Sequence, residues 1–191
     1  MLVLVVKLLF VRDTNLYYIT NTSNSHMPKK IKFDVFLEEY DDISTLPADS
    51  QTLINQAIKA CQSAYAVYSG FSVGAAVQLE NGEIILGSNQ ENASFPNGIC
   101  AERVALFAAA AKYPAIPVLK LAVAAMDQTS DWTDPVYPCG GCRQVMIEYQ
   151  LIQKSPIEII MYGSARMIRV AHSVDMLLPF RFSAKPMDNS T

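Results

Sequence analysis

The segment Pro138-Cys-Gly-Gly-Cys142, read together with Cys100, constrains this chain more than any other feature. Cys100 opens a stretch rich in alanine and leucine, Ala101 to Lys112, whose composition predicts a helix. Cys139 and Cys142 open a second, shorter one running through Arg143 to Gln150. Pro135 and Pro138 make the approach to it a stiff turn. A helix N-terminus presents unpaired N–H groups and partial positive charge, which lowers a thiol's pKa and favours the thiolate that binds metal. Three thiols at two helix starts therefore predict a metal site, and zinc is its natural occupant.

A chain of 191 residues normally folds as one domain whose core needs no disulfide staples, so the four cysteines call for another explanation. Cys61 falls on an apolar helical stripe with Leu53, Ile54, Ala57, Ile58 and Tyr65, as a buried core cysteine does, and is a poor ligand candidate. The two histidines are badly placed: His26 lies in a polar tract and His172 between apolar residues far from either cysteine cluster. Three protein ligands leave the fourth tetrahedral position to water, which separates catalytic zinc from closed structural zinc. Glu102, two residues after Cys100 on the same helical turn, can reach such a water and carry its proton, although a first-turn glutamate also suits a helix dipole.

The rest of the chain supplies a scaffold. Residues 30–40 alternate charged and apolar positions (Ile31, Phe33, Val35), which predicts an edge strand or a docked arm. Asp49-Ser50 offers an N-cap for an amphipathic helix ending near Tyr65. Residues 71–79 and 84–86 flank Asn81-Gly82, the dipeptide of a tight hairpin turn. The apolar runs Val118 to Ala125 and Ile157 to Tyr162 predict buried strands, each following one of the cysteine-led helices. The series implies one α/β domain, a mixed sheet with helices on its faces.

Residues 1–26 form a leader outside that fold, leaving 27–191 as the domain. The apolar run from Met1 is too short to span a bilayer and lacks the basic start and cleavage site of a signal peptide. Met27-Pro-Lys-Lys30 looks like a translation start. With 15 basic against 18 acidic residues, the chain lacks the positive excess that nucleic-acid binding uses.

Cys-x-Glu followed by Pro-Cys-x-x-Cys is the zinc deaminase signature with cysteine in place of its histidine. With Tyr68 to Ala76, Gly87 to Pro96, Ile99 to Arg103, Pro138 to Val145 and Leu177 to Pro179, the chain resembles the three-cysteine branch of the cytidine deaminase family over roughly residues 50 to 183. The resemblance implies a three-layer α/β/α sandwich around a mixed five-stranded sheet and one zinc per subunit. It also implies hydrolytic deamination of cytidine and 2′-deoxycytidine to the uridines plus ammonia, in pyrimidine salvage in the cytoplasm.

By the same resemblance, Cys100, Cys139 and Cys142 hold zinc, Glu102 carries the proton and Arg103 offsets the thiolate charge. Asn89 and Glu91 grip the ribose, and Phe71 and Ala101 complete the substrate contacts; a core role is the plain alternative for Phe71. The family is homotetrameric, with neighbouring subunits completing each pocket. Phe95 and Phe182 are the candidates for that contact, with Phe180 competing with Phe182 and local core the alternative for both. The partner is a small nucleoside, with no nucleic acid and no membrane. Two other readings stand beside this one: a deaminase of another aminopyrimidine such as blasticidin S, which the Asn-x-Glu pair opposes, and a non-catalytic zinc-stabilised module, which needs a fourth ligand.

Overall fold

The computed structural model describes Pro28 and residues 30–127, 134–163 and 167–183. Two compact units divide the chain at Phe33 and Asp34. The leader, His26 included, and the expected start at Met27 lie outside the described residues, and the described residues of the first unit are exposed and without regular structure. Every helix and strand among the described residues belongs to the second unit.

Its chain order is β1 (Glu38–Tyr40), α1 (Ala48–Ala60), β2 (Phe71–Leu79), β3 (Ile84–Ser88), α2 (Ala101–Lys112), β4 (Val118–Asp127), α3 (Gly140–Gln153), β5 (Glu158–Tyr162) and β6 (Ile168–Ala171). The strands form one sheet in the order β1-β6-β5-β4-β2-β3, in which only β4 and β5 run parallel. Gly82, at φ 85°, makes the hairpin turn that Asn81-Gly82 predicts.

Alternation along the strands splits the core into two layers. Ala76, Ala122, Ala124, Ile160, Ile168 and Val170 pack with Leu53, Ile54, Ala57 and Cys61 of the α1 layer. Ala75, Val77, Leu121, Val123, Ile159 and Met161 pack with Ala105 and Leu106 of α2 and Met146 and Ile147 of α3. Two glycines let the helices press close: a Cβ on Gly74 would lie 2.1 Å from the Ala57 carbonyl oxygen, and one on Gly87 would lie 2.4 Å from that of Ala101. The three-layer α/β/α architecture is as expected.

Four expectations need correction. Among the described residues the sheet has six strands, not five, and β6 was not anticipated; four residues interrupted by Arg169 give too short an apolar signal. The edge strand is real but lies at Glu38–Tyr40, while Ile31, Phe33 and Val35 are exposed, so the alternation there does not mark a strand face. The cap of α1 is Pro47; Asp49 sits in the first turn, and Ser50 is buried. The helix gives way to a 3-10 turn at Cys61–Ser63, so Tyr65 lies beyond it and bridges Gln90 instead.

Candidate active site

The two cysteine-led helices start side by side on one face of the sheet. Cys100 caps α2 and Cys139 caps α3, each with extended backbone and neither spending its side chain on a capping bond. Their sulfurs lie 3.8 Å apart, Cys139 and Cys142 lie 3.5 Å apart, and the three ligand atoms fall within 4.8 Å of one another. Cys61 is buried on the opposite face, as its stripe position implied. Among the described residues His172 joins no metal cluster; its ring lies 3.1 Å from Glu158 and 3.1 Å from Glu38, a pairing its place in the sequence concealed.

The electrostatics suit a soft divalent cation. The hydrogen bond from Cys142 is the chief cause that lowers the Cys100 thiol, with Arg103 and Cys139 adding to it, and Cys142 rises as the partner that keeps the proton. Arg103 Nη2 lies 3.7 Å from Cys100 Sγ, while its buried Nε finds no acceptor among the described residues. Three converging sulfurs, one already biased to thiolate and faced by a guanidinium, are a donor set that fits zinc, one ion per subunit. No fourth protein ligand joins the cluster among the described residues.

Glu102 is 4% exposed in the first turn of α2. Burial pushes its carboxyl up to about 7, and negative charge on Cys100 adds to the rise. Ala101, beside it, is fully buried.

A cleft of about 660 Å³ opens onto this corner, and Phe71, Asn89, Glu91, Phe95, Cys100, Glu102, Tyr137 and Cys139 are among its lining residues. The strap 89–91 is held at both sides by backbone bonds. Tyr65 N donates to Asn89 O at 2.9 Å and Glu91 N to Tyr65 O at 2.8 Å, while Gln90 and Ile99 exchange two bonds of 2.9 Å. Asn89 spans the start of β2, accepting from Val73 N at 2.8 Å through Oδ1 and donating from Nδ2 to Phe71 O at 3.0 Å. Glu91 accepts from the Tyr68 and Ser69 amides and the Ser69 hydroxyl, and that hydroxyl chiefly holds its carboxylate below the usual range.

Phe95 is 74% exposed and meets Tyr68 edge-to-face at 5.8 Å; Phe180 and Phe182 are exposed as well, so none of the three is local core. Gln144 grips the Phe182 backbone, donating to its carbonyl at 2.9 Å and accepting from its N–H at 3.2 Å.

Several supporting residues escaped the sequence reading. Arg143, next to Cys142, donates to Pro138 O at 2.7 Å and to Leu177 O at 3.1 Å, tying the ligand turn to the C-terminal segment. Ser69 and Tyr65 fix the strap, and Tyr137 lines the cleft. Ser69 and Arg143 lie inside the stretches that carry the family resemblance, which was the signal available for them; Tyr65 and Tyr137 carried none.

A mixed sheet with a three-sulfur centre and a buried carboxyl at paired helix starts defines a zinc-dependent deaminase class. The profile of the "cytidine and deoxycytidylate deaminase zinc-binding region" matches residues 47–158, and the chain belongs to that family. The chain is 39% identical to a cytidine deaminase of Halalkalibacterium halodurans over 142 residues, 74% of this chain and 99% of that one. It is 43% identical to a cytidine deaminase of Sporosarcina psychrophila over 53% of this chain and 70% of the other. Among solved structures, a cytidine deaminase from Burkholderia pseudomallei superposes with a TM-score of 0.60 at 40% identity, covering 69% of this chain and 97% of that one.

Proposed function

We propose that this protein deaminates cytidine and 2′-deoxycytidine hydrolytically, in a zinc-dependent reaction that yields the uridines and ammonia. The observation that carries this reading is the buried Glu102 carboxyl beside the Cys100–Cys139–Cys142 cluster, at the floor of a cleft that Asn89 and Glu91 also line. Zinc held by the three thiolates would supply a Lewis acid and a nucleophile usable at neutral pH.

The chain's own groups do the rest. Buried at the start of α2 beside the sulfur cluster and lining the cleft, Glu102 is placed to take a proton and give it back, which is what a residue acting first as base and then as acid requires. It accepts a proton from the attacking water, protonates N3 of the pyrimidine, and passes a proton to the amine as the C4–N bond breaks. Arg103 offsets the negative charge that three thiolates leave around a divalent ion.

Asn89 and Glu91 are pre-set for the ribose because neither side chain is free to swing. Asn89 keeps one amide hydrogen beyond its two backbone bonds, and the bonds from Tyr68 and Ser69 fix the Glu91 carboxylate. A site built to bond a sugar hydroxyl rejects analogues lacking it. In this reading Phe71, which lines the cleft, flanks the pyrimidine, and Ala101, next to Glu102 at the start of α2, completes the substrate contacts.

The test is an ultraviolet deamination assay with cytidine, deoxycytidine, cytosine and blasticidin S, run with zinc analysis. Turnover of both nucleosides, and a raised KM for them in Asn89→Ala, is the expected result. Turnover of blasticidin S alone, or inactivity with zinc fully bound, overturns the reading.

The further expectations belong to the same proposal. The working domain begins at Met27, and a native intact mass that includes Met1 would overturn that. Reduced zinc thiolates suit the cytoplasm, and among the described residues no helix is long and apolar enough to cross a membrane. Exposed Phe95 and Phe182 support a homotetramer in which a neighbour completes the pocket; a monomer on sizing chromatography would refute it.

A further inference from the structure

One wall of the cleft is tied to the edge of the sheet. Tyr137 lines the cleft two residues before Cys139. The backbone on either side of it is pinned, since Val136 N donates to Tyr162 O at 3.3 Å and Pro138 O accepts from Arg143 Nε at 2.7 Å. With the main chain fixed, the remaining freedom is that of the phenol. Its hydroxyl accepts from Arg169 Nη1, and the guanidinium carbon lies 5.8 Å from the ring centroid, beyond the hydroxyl end, so Arg169 fixes the tip of the ring.

Arg169 is itself held. It lies in β6 directly across from Glu39 of β1, and its Nε donates to Glu39 Oε2 at 2.8 Å. Parity along β6 explains the direction. Ile168 and Val170 belong to the α1 layer, whereas Ala171 belongs to the layer of α2 and α3, so Arg169 projects on the same side as the thiolates. An exposed cross-strand ion pair contributes little to folding, yet this one spends a second guanidinium nitrogen on a residue of the cleft wall.

We propose that Tyr137 is a substrate-positioning wall residue whose phenol is set by the Glu39–Arg169 pair, which makes the edge strand β1 part of the substrate site. The proposal rests on the nucleoside deaminase reading above. Tyr137 touches the cleft; Arg169 and Glu39 are positioning residues acting through it. Removing them lets the ring leave its place, which weakens substrate binding and leaves the proton chemistry at Glu102 alone.

The test is a cycle of steady-state kinetics with cytidine on the zinc-loaded full chain, comparing Arg169→Met, Tyr137→Phe and the double variant, with zinc content and Tm measured alongside. Arg169→Met is expected to raise KM about 3- to 10-fold with kcat within about 2-fold and zinc unchanged, the signature of lost uniform binding. In the Tyr137→Phe background the same change should add nothing further, because the hydroxyl through which it acts is gone. Glu39→Gln should raise KM by less, and Arg169→Lys should restore only part of the loss, since an ammonium cannot reproduce the fork.

An unchanged KM in Arg169→Met, or effects that multiply fully in the double variant, overturns the proposal while leaving the enzyme's activity established. Should Arg169→Met fail to fold, Glu39→Gln with Tyr137→Phe completes the same cycle. A wild-type chain inactive on cytidine removes the substrate reading first, and the proposal falls with it.

Discussion

On the α1 face of the sheet, Cys61 stands at the C-terminal end of its helix, 3% exposed, with its sulfur 3.6 Å from Ala57 O and 3.4 Å from Ala124 O. On the other face, Cys100 and Cys139 stand at the N-terminal ends of theirs, beside Cys142 in the first turn of α3. Burial among apolar side chains pushes the Cys61 thiol up to about 11, whereas the thiol bond from Cys142 and the Arg103 guanidinium pull Cys100 down. A helix's partial charge runs from positive at its start to negative at its end, so the same side chain is favoured as a thiolate at one end and disfavoured at the other. Cysteine chemistry in this chain is set by burial and by the donors and charges that face each sulfur, and residue type alone does not set it.

The largest test of that contrast removes the proton carrier and leaves the sulfurs untouched. Glu102→Gln should keep zinc, by elemental analysis, and lose deamination by about 10³-fold or more in the ultraviolet assay. Near-normal turnover would exclude Glu102 from proton transfer. Next comes the contrast itself: Cys139→Ser should lose zinc on dialysis, while Cys61→Ser should retain it and lower only thermal stability. Full zinc in the first variant, or zinc loss in the second, breaks the division between the two faces.

A third prediction concerns the buried carboxyl in zinc-stripped protein. Glu102 titrates at about 7 when folded against 4.5 in an open chain, so its contribution to stability is full below 4.5 and is lost as pH rises through about 7. At ~1.4 kcal/mol for each tenfold change in the protonation equilibrium, the loss is at most roughly 3 kcal/mol. Urea unfolding of the stripped wild type and of stripped Glu102→Gln at pH 5 and pH 8 should isolate it as a more negative pH slope in the wild type, because the lowered Cys100 thiol adds an opposite slope to both proteins. An equal slope in both proteins would mean that other groups carry the pH dependence.

Much of this was legible in order along the chain. Asn81-Gly82 dictates its turn locally, and the runs at Val118 and Ile157 are apolar because those strands are buried on both faces. The three thiols announced themselves because each precedes or opens a helix. Contacts that depend on register did not announce themselves. Nothing near Tyr137 in sequence points to Arg169, and nothing near Arg169 points to Glu39; the pairing appears only once β1 lies against β6. Tyr65 misled for the same reason, since it continues the helical spacing of Ile54, Ile58 and Cys61 although the helix has already ended and a bridge to Gln90 claims it. His172 looked inert in the sequence because its partners, Glu38 and Glu158, arrive from other strands.

The smallest predicted effect sits at His172, on the same side of the β1–β6 edge as Cys61. Glu38 and Glu158 face its two ring nitrogens at 3.1 Å each; Lys120 reaches Glu158 at 3.2 Å and Asp49 at 2.8 Å, and Tyr40 donates to Glu38 at 2.7 Å. The hydrogen bond to Glu38 is the chief cause that raises the imidazole above 6.5. A raised histidine lends stability that is full below its unfolded value and is lost as pH rises through the folded one. The pairing therefore holds β1 to the sheet best in mildly acid solution. Its side chain is half exposed, so screening keeps the contribution below about 1 kcal/mol. The wild type should exceed His172→Gln in Tm by a degree or two near pH 5.5, and the gap should close by about pH 9. A gap independent of pH would mean that the ring holds the edge by packing alone, with no charge involved.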